Sequence, residues 1–334
     1  MKIAVLSDGG WGTALALVLC RNGHDVVLWG PFPDYVAEME QRRKNVRFLP
    51  GPTLPPELAL SADLEQATTM AEIIVLAAPS QYMRGLLNQL RELPPAKAPI
   101  FVNVAKGIEL GSLKRMSEMV AEILGPVRYA VLSGPSHAEE VARGIPTTVV
   151  AASTNPEITA IVQDAFMGEL FRVYTSTDVI GVELGAALKN VLALAAGVCD
   201  GMGFGDNTKA ALITRGIVEM ARLGSKLGGQ PETFSGLSGI GDLIVTCMSR
   251  HSRNRHVGEE LGRGRSLAEI QTEMGGQVAE GVKTAQSAYE LARQVQIETP
   301  IIDQVYAGLY SDKDPRQAVR ELMTREAKPE ITGA

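Results

Sequence analysis

Lys189 lies within a long apolar segment, where a charged side chain is unusual. The run over residues 179–198 has only three polar side chains, which are Glu183, Lys189 and Asn190. Lysine is rarely buried without a partner, and a desolvated ammonium has a lowered pKa that suits proton transfer. Since an α-helix turns about 100° per residue, Glu183 lies roughly 120° away and is not that partner. A lysine that extends along the helix to the surface is the alternative.

A second lysine and a serine follow predicted strands that end at one edge of a sheet. Lys106 closes the run PIFVNVAKG, and Ser136 closes the run RYAVLSGPS. Since parallel strands share their carboxyl edge, both side chains are expected at one crevice. A surface lysine at a strand end is the alternative for Lys106. Ser136 has Glu139 three residues later and fits a helix cap, although free amides there would also suit an anion.

A basic cluster lies in the second half of the chain. The segment SRHSRNRHVGEELGRG contains Arg250, Arg253, Arg255 and Arg263. Guanidinium groups beside serine and asparagine in an acidic protein suit a phosphate or a carboxylate ligand. A solvated basic start of a helix is the alternative.

A Gly-rich turn joins the first predicted strand to the first predicted helix. The runs KIAVL, SDGGWG, TALALVLCRNG and DVVLWG are typical of strand, turn, helix and strand, which is a βαβ unit. In such a unit G-x-G-x-x-G binds the pyrophosphate of a dinucleotide. Gly9 and Gly12 supply the second and third glycines, but Ser7 replaces the first and tolerates the turn only at negative φ. Asp8 also places a carboxylate near the pyrophosphate unless it points away, and a plain strand-to-helix turn is the alternative.

The end of the second strand lacks the acid that often holds the ribose 2′-hydroxyl in NAD-specific folds. Gly30-Pro31-Phe32-Pro33 stands there, and Asp34 comes too late in the chain. Arg42, Arg43 and Lys44 suit a 2′-phosphate, but they equally suit a solvated helix end. The choice between NAD and NADP stays open.

The pattern of apolar runs predicts two domains. Strand and helix signals alternate over residues 1–177, which indicates an α/β N-terminal Rossmann-type doubly wound sheet. Residues 45–72, with four prolines, are expected to form a loop and a short helix. Residues 178–334 are helical throughout and are expected to form an all-α domain. Its central helix is predicted to be buried rather than membrane-spanning, because a lysine at mid-bilayer costs about 2.5–3.5 kcal/mol.

Composition narrows the class of protein. The 334 residues are enough for two cores, and a net charge of −6 gives no reason to expect nucleic acid or an anionic membrane as partner. Three cysteines without a CxxC are expected to be free thiols in a reducing compartment. Four histidines show no metal-binding spacing, so no metal is expected. The N-terminal apolar run is too short for a signal peptide, and we expect a cytoplasmic protein.

The chain resembles the bacterial NAD(P)-dependent glycerol-3-phosphate dehydrogenases over about residues 2–323. The resemblance rests on motifs that occur in order: AKGIE (105–109), SGPSHAEE (133–140), ELGAALKN (183–190), GDNTKAALITRG (205–216), GLSGIGDLIVTC (236–247), SRN (252–254) and EG (280–281). It implies reduction of dihydroxyacetone phosphate to sn-glycerol 3-phosphate with NAD or NADP as cofactor, for phospholipid synthesis. It also implies a homodimer.

Site residues follow from the resemblance, the Gly-rich turn and the sheet edge. Catalysis is assigned to Lys189 as proton donor and acceptor, with Lys106 and Asp242. The predicted cofactor-binding residues are Gly9, Gly10, Trp11, Gly12, Pro79, Lys106, Ala138, Arg253, Val278 and Glu280. The predicted substrate-binding residues are Lys106, Gly134, Ser136, Lys189, Asn190, Asp242, Thr246, Ser252, Arg253 and Asn254.

The sequence departs from the family pattern at the cofactor turn. Ser7 and Asp8 replace a glycine and a small residue, Gly10 replaces a common serine, and Pro31 replaces a basic or polar residue. We therefore expect weaker or less selective cofactor binding than the family norm. Two other functions compete: a nucleotide sensor or scaffold without turnover, and an oxidoreductase for another small hydroxy acid. The full set of catalytic groups and the phosphate-binding Ser-Arg-Asn motif favour the dehydrogenase.

Overall fold

Eight strands form one sheet in the part of the chain that the computed structural model describes, residues 1–93, 98–275, 278–327 and 329–330. Their order is β3-β2-β1-β4-β5-β6-β7-β8, and neighbours are parallel except β6 and β7, which are antiparallel. The strands are β1 (Lys2–Leu6), β2 (Asp25–Trp29), β3 (Ala59–Ser61), β4 (Ile73–Leu76), β5 (Ile100–Asn103), β6 (Arg128–Ser133), β7 (Thr147–Ala152) and β8 (Phe171–Ser176).

Helices cover both faces of this sheet, because its central strands carry apolar side chains on both sides. Ile3 and Val5 pack with Leu15 in one core, whereas Ala4 and Leu6 belong to a second core on the opposite face. The helices of this half are α1 (Gly10–Arg21), α2 (Pro33–Arg42), α3 (Leu64–Thr68), α4 (Met83–Glu92), α5 (Met116–Leu124), α6 (Ala138–Ala142) and α7 (Pro156–Phe166). The predicted doubly wound Rossmann-type sheet is confirmed.

The strand order creates a crevice at the carboxyl edge. From β1 the sheet grows in one direction through β2 and β3, and from β4 it grows in the opposite direction, so the strand order reverses between β1 and β4. Ligands of open α/β sheets bind at such a switch point. The short strand β3 lies within the segment predicted as loop, and the three-residue run ALS is too brief to give a strand pattern.

Helices alone follow the last strand. They are α8 (Val179–Gly201), α9 (Asp206–Lys226), α10 (Pro231–Phe234), α11 (Asp242–Met248), α12 (Arg253–Gly262), α13 (Leu267–Glu273), α14 (Glu280–Gln294), α15 (Pro300–Tyr310) and α16 (Pro315–Met323). A π-helical segment, Leu237–Gly241, leads directly into α11. The strands end at Ser176, and residues 331–334 of the predicted second domain lie outside the described residues.

Helix α8 is the centre of the helical half. By length and composition it could cross a membrane, but 89% of its apolar window is buried inside the protein. Helices α9, α11, α12 and α14 all pack against it. The prediction of a buried central helix is confirmed.

A buried carboxylate joins α8 to the sheet half. Glu183 accepts hydrogen bonds from Arg115 Nη1 at 2.8 Å, from the Ser117 hydroxyl at 2.6 Å and from the Tyr129 hydroxyl at 2.6 Å. The Ser117 amide donates at 2.8 Å to Glu183 Oε1, the oxygen that also accepts from Tyr129. This network confirms that Glu183 does not pair with Lys189.

Candidate active site

One buried carboxylate holds both lysines that the sequence singled out. Asp242 accepts from Lys189 Nζ at 2.6 Å through Oδ1 and from Lys106 Nζ at 2.7 Å through Oδ2. Only 2% of the Asp242 side chain is exposed, against 6% for Lys189 and 16% for Lys106. A surface position is therefore wrong for Lys189, and Lys106 lies at the mouth of the same site.

Each lysine is oriented by further acceptors. Lys189 Nζ also donates to the Thr246 hydroxyl at 2.7 Å, and Thr246 lies one helical turn after Asp242 in α11. Lys106 Nζ donates to the Gly134 carbonyl at 3.0 Å and weakly to the Ser136 hydroxyl at 3.4 Å. Lysines from α8 and from the loop after β5 thus converge on one carboxylate of α11.

The electrostatics of this cluster suit proton transfer. Burial lowers the pKa of Lys189 to about 8, and the charge of Asp242 opposes part of that shift. Burial raises the pKa of Asp242, but the charges and hydrogen bonds of Lys106 and Lys189 outweigh burial and the net shift is downward. One carboxylate and two ammonium groups leave one net positive charge, which favours an anionic ligand or a developing oxyanion.

Two asparagines brace the loop that carries Lys106. Asn190 donates from Nδ2 to the Lys106 carbonyl at 3.0 Å, and its Oδ1 accepts from Asn254 Nδ2 at 2.9 Å. Asn254 Oδ1 in turn accepts from the Gly281 amide at 2.9 Å. This chain of amides connects the sheet edge to α8, α12 and α14.

The four arginines of the basic cluster separate into two that form ion pairs and two, Arg250 and Arg253, that are exposed. Arg255 pairs with Asp200 at 2.6 Å, and Arg263 pairs with Glu259 and Glu260. Arg253, the first residue of α12, is exposed and forms no ion pair within the described part of the chain. Ser252 is buried and caps α12, because its hydroxyl accepts from the Arg255 amide at 3.2 Å.

The Gly-rich turn fits the pyrophosphate of a dinucleotide. No side chain of the described residues caps α1, and uncapped amides at a helix start suit an anion. A Cβ at Gly12 would lie 2.1 Å from the Ser7 carbonyl oxygen, so only glycine allows this close approach of helix and strand. A Cβ at Gly10 would lie 2.5 Å from the Phe48 carbonyl and 3.8 Å from the Ala138 side chain. The predicted residues Gly10 and Ala138 therefore lie together.

One expectation about this turn was wrong. Ser7 has a φ of +123°, in the region that favours glycine, whereas the sequence argument required a negative φ. The Asp8 carboxylate lies beside Gly30, which directly follows β2. Trp11 is half-buried and its indole N–H has no partner among the described residues.

Glu280 connects the helical half to the sheet edge. At the start of α14, its carboxylate accepts from the Ser80 amide at 2.9 Å and from the Ser80 hydroxyl. Burial raises the pKa of Glu280, and hydrogen bonds from Ser80 and the charge of Arg253 oppose that shift. Pro79, after β4, and the half-buried Val278 flank this contact. Ser80 was missed by the sequence argument, although it directly follows Pro79, which was predicted to bind the cofactor.

Comparison with known families covers both halves of the chain. The family model described as NAD-dependent glycerol-3-phosphate dehydrogenase N-terminus matches residues 2–159, and its C-terminus counterpart matches residues 178–320. The chain belongs to the NAD-dependent glycerol-3-phosphate dehydrogenase family. The resemblance found in the sequence is thus confirmed.

Relatives of this dehydrogenase family member match over the full length. The glycerol-3-phosphate dehydrogenase [NAD(P)+] of Chlorobium phaeobacteroides (strain BS1) is 51% identical over 99% of each chain. That of Geobacter sulfurreducens is 53% identical over 98% of each. A crystal structure of glycerol-3-phosphate dehydrogenase from Coxiella burnetii has a TM-score of 0.93 at 43% identity and covers 97% of this chain and 98% of that one. A D-mandelate dehydrogenase, at 12% identity and a TM-score of 0.65, shares the fold alone.

The prediction that Ser136 caps the helix after β6 was wrong. His137 is the N-cap of α6 and makes no side-chain cap bond, whereas the Ser136 hydroxyl donates to the Gly134 carbonyl at 2.8 Å. His137 itself was missed. Its pKa is lowered by burial and then by the charge of Lys189, and its place beside Ser136 was the available signal.

No group of three potential ligands among His, Cys, Asp and Glu that could hold a metal ion occurs within the described ranges. The three cysteines are buried and free, as the sequence predicted. Burial raises the pKa of the Cys247 thiol to about 12, so this thiol is unreactive at neutral pH.

Proposed function

We propose that the chain catalyses the reversible reduction of dihydroxyacetone phosphate to sn-glycerol 3-phosphate with NADH or NADPH, and so feeds glycerophospholipid synthesis. The observation that carries this proposal is the Asp242 carboxylate shared by Lys106 and Lys189 at the crevice of a dinucleotide-type sheet. A carbonyl reduction needs a cationic acid there, and a phosphorylated substrate needs further positive charge nearby.

Lys189 is the proposed proton donor and acceptor at the substrate oxygen on C2. When bound, the reduced nicotinamide supplies the hydride for that carbon. Two of the three N–H bonds of Lys189 are directed to Asp242 and Thr246, so the third is left for the substrate oxygen. A pKa near 8 lets the amine give a proton in reduction and take one in oxidation.

Lys106 is proposed to stabilise the negative charge that develops on the same oxygen. Its strong contacts are to Asp242 and the Gly134 carbonyl, and the long contact to Ser136 is the one that a substrate would replace. Asp242 acts on both lysines: it orients their ammonium groups and keeps the pKa of Lys189 from falling further.

The phosphate of the substrate is proposed to bind at the start of α12. Arg253 offers a guanidinium that no ion pair occupies within the described residues, and Ser252 and Asn254 flank it. Asn190 and Thr246 complete the substrate side with Gly134 and Ser136. A phosphate at this helix start also gains from the helix dipole.

The dinucleotide is proposed to lie along the carboxyl edge of the sheet. The residues that would hold it are Gly9, Gly10, Trp11, Gly12, Pro79, Lys106, Ala138, Arg253, Val278 and Glu280. The uncapped start of α1, the close approach at Gly12 and the unpartnered indole of Trp11 support this placement.

The proposed division is a dinucleotide-binding domain at 1–177 and a substrate domain at 178–334. The end of the strands at Ser176 supports it. We also propose a cytoplasmic homodimer, and light scattering of the purified protein would test it against the 35.7 kDa mass of one copy.

Loss of NADH or NADPH absorbance after addition of dihydroxyacetone phosphate tests the activity. The Lys189→Ala variant is expected to lose at least about a thousandfold in kcat, because no other group replaces the proton donor. Lys226→Ala, which removes an exposed lysine at the end of α9, is the matched control and should keep the wild-type rate. Wild-type turnover by Lys189→Ala would contradict the mechanism, and NADPH binding without any turnover would favour a nucleotide sensor instead.

A further inference from the structure

Asp8 is a buried acid that the proposed reaction does not use. It follows β1 in the Gly-rich turn and is only 4% exposed. Its main-chain carbonyl accepts from Asn45 Nδ2 at 2.6 Å and from the Thr13 hydroxyl at 3.3 Å, so its backbone is held firmly. Its Oδ2 atom is buried and has no hydrogen-bond partner in the described part of the chain.

The carboxylate of Asp8 occupies the place of a side chain at residue 30. A Cβ built on Gly30 would lie 2.5 Å from Asp8 Oδ2, 2.7 Å from its Cγ and 3.0 Å from Val36 Cγ2. Gly30 directly follows β2, the strand whose end carries the ribose-binding acid in NAD-specific folds. The acid that is missing from the end of β2 is therefore supplied from the neighbouring turn.

The surroundings make this carboxylate an acceptor that lacks a donor. Burial raises the pKa of Asp8 to about 6, while its own backbone N–H and the charge of Arg47 oppose that shift. The Arg47 guanidinium stacks over Tyr35 at 4.3 Å and pairs with Glu38 at 3.8 Å. At neutral pH the carboxylate is mostly ionised, and a buried acceptor without a donor is unfavourable. A hydroxyl donor from a ligand would remove this penalty.

Two of the three basic residues that suit a 2′-phosphate, Arg42 and Arg43, are engaged elsewhere, whereas Lys44 is exposed and forms no ion pair within the described residues. Arg42 pairs with Glu38 at 3.3 Å within α2. Arg43 donates to the Leu58 carbonyl at 2.8 Å and to the Pro55 carbonyl, so it holds the following loop. Both cations therefore serve contacts within the protein, and Asp8 is the charged group placed against the end of β2.

We propose that Asp8 accepts a hydrogen bond from the 2′-hydroxyl of the adenosine ribose and thereby selects NAD over NADP. The inference rests on the proposed function, because it places the dinucleotide across the start of α1. A 2′-phosphate at the same place would meet a like charge, and such contacts oppose binding. The proposal replaces the sequence-based expectation of less selective binding.

Equilibrium binding of NADH and NADPH, measured by nucleotide fluorescence without substrate, tests the proposal. The wild-type protein is expected to bind NADH at least about tenfold more tightly than NADPH. Asp8→Asn, which keeps the shape of the side chain and removes its charge, should reduce that ratio about tenfold or more. Asp34→Asn, the matched control at an exposed acid in the first turn of α2, should leave the ratio unchanged.

Gly30→Ala provides an independent test, because its methyl group would displace the Asp8 carboxylate without touching its charge. It should also lower the preference for NADH. Thermal unfolding without nucleotide shows which variants are folded. The proposal is overturned if folded Asp8→Asn or Gly30→Ala binds both nucleotides with the wild-type ratio, or if Asp34→Asn changes the ratio instead. A wild-type protein that binds neither nucleotide would overturn the proposed function itself.

Discussion

At the scale of single residues, the chemistry depends on one acid that serves two bases. The positive charges of Lys106 and Lys189 together let Asp242 stay ionised although it is buried. The negative charge of Asp242 in turn lets Lys189 stay largely protonated near neutral pH. Either lysine alone with Asp242 would leave a neutral pair with less attraction for an anionic substrate. The cluster of three is therefore the smallest unit that combines burial, a mobile proton and a net positive charge.

The pH dependence of catalysis follows from the pKa of Lys189. Its value of about 8 lies below the ordinary 10.5, so the ammonium predominates below pH 8 and the neutral amine above it. Reduction of dihydroxyacetone phosphate needs the ammonium, and its kcat should fall as pH rises above about 8. Oxidation of glycerol 3-phosphate needs the neutral amine, and its kcat should rise about tenfold per pH unit up to that value.

Pre-steady-state absorbance measurements of reduction and of oxidation from pH 6 to pH 10 would separate the pH dependence of the chemical step from that of product release. The Lys226→Ala variant should show the same two profiles. Flat profiles in both directions across that range would show that Lys189 is not the titrating group.

At the scale of elements, the β1–α1 turn brings helix and strand close together, but it holds Ser7 in a strained backbone conformation. Gly12 permits the close approach, but Ser7 sits at a φ of +123°, where a side chain is strained. The turn is held by its surroundings, including the bond from the Ser7 amide to the Trp29 carbonyl at 3.0 Å. The strain comes from the serine side chain at position 7 and not from the backbone path of the turn, because glycine adopts the same φ without strain.

Ser7→Gly is therefore expected to raise the free energy of unfolding by about 1 kcal/mol, since relief of strain exceeds the extra entropy of glycine in the unfolded chain. Urea unfolding followed by circular dichroism measures this difference. Ser225→Gly in the regular helix α9 is the control and should lower stability by about 0.5–1 kcal/mol. Equal losses in the two variants would mean that Ser7 is not strained.

At the scale of the whole molecule, the site exists only where the two halves meet. Lys106 and Ser80 belong to the sheet edge, whereas Lys189, Asp242 and Glu280 belong to helices of the second half. The contacts of Lys106 with Asp242 and of Ser80 with Glu280 cross the boundary, and so does the Glu183 network. The position of α8 against the sheet therefore controls the geometry of the reacting groups.

Glu183→Ala is expected to lower the free energy of unfolding by about 3–5 kcal/mol, because it removes the buried acceptor shared by Arg115, Ser117 and Tyr129. Urea unfolding again measures the change. Glu118→Ala removes the other acid that pairs with Arg115, at 3.1 Å and about half exposed, and should cost about 1 kcal/mol or less. Similar costs for both variants would show that Glu183 does not join the halves.

Local signals in the sequence were enough for the elements and for the class of site. Buried apolar runs identified strands such as β1, β2, β5 and β6, and the all-round apolar segment identified α8 with its isolated Lys189. These patterns are local because side-chain alternation and helical periodicity are properties of neighbouring residues. The ordered motifs then identified the family. The short strand β3 escaped because three residues carry no periodicity.

Only the tertiary structure decided which groups touch. Asp242 is 53 residues from Lys189 and 136 from Lys106, and Glu280 is 200 from Ser80, so no local pattern could join them. The same holds for Asp8, whose carboxylate fills the space left by Gly30 on the adjacent strand. The sequence by itself determined the reactive residue types and the elements that carry them. Packing of α8 and α11 against the sheet edge decided their partners, because hydrogen bonds and pKa shifts depend on distances through space.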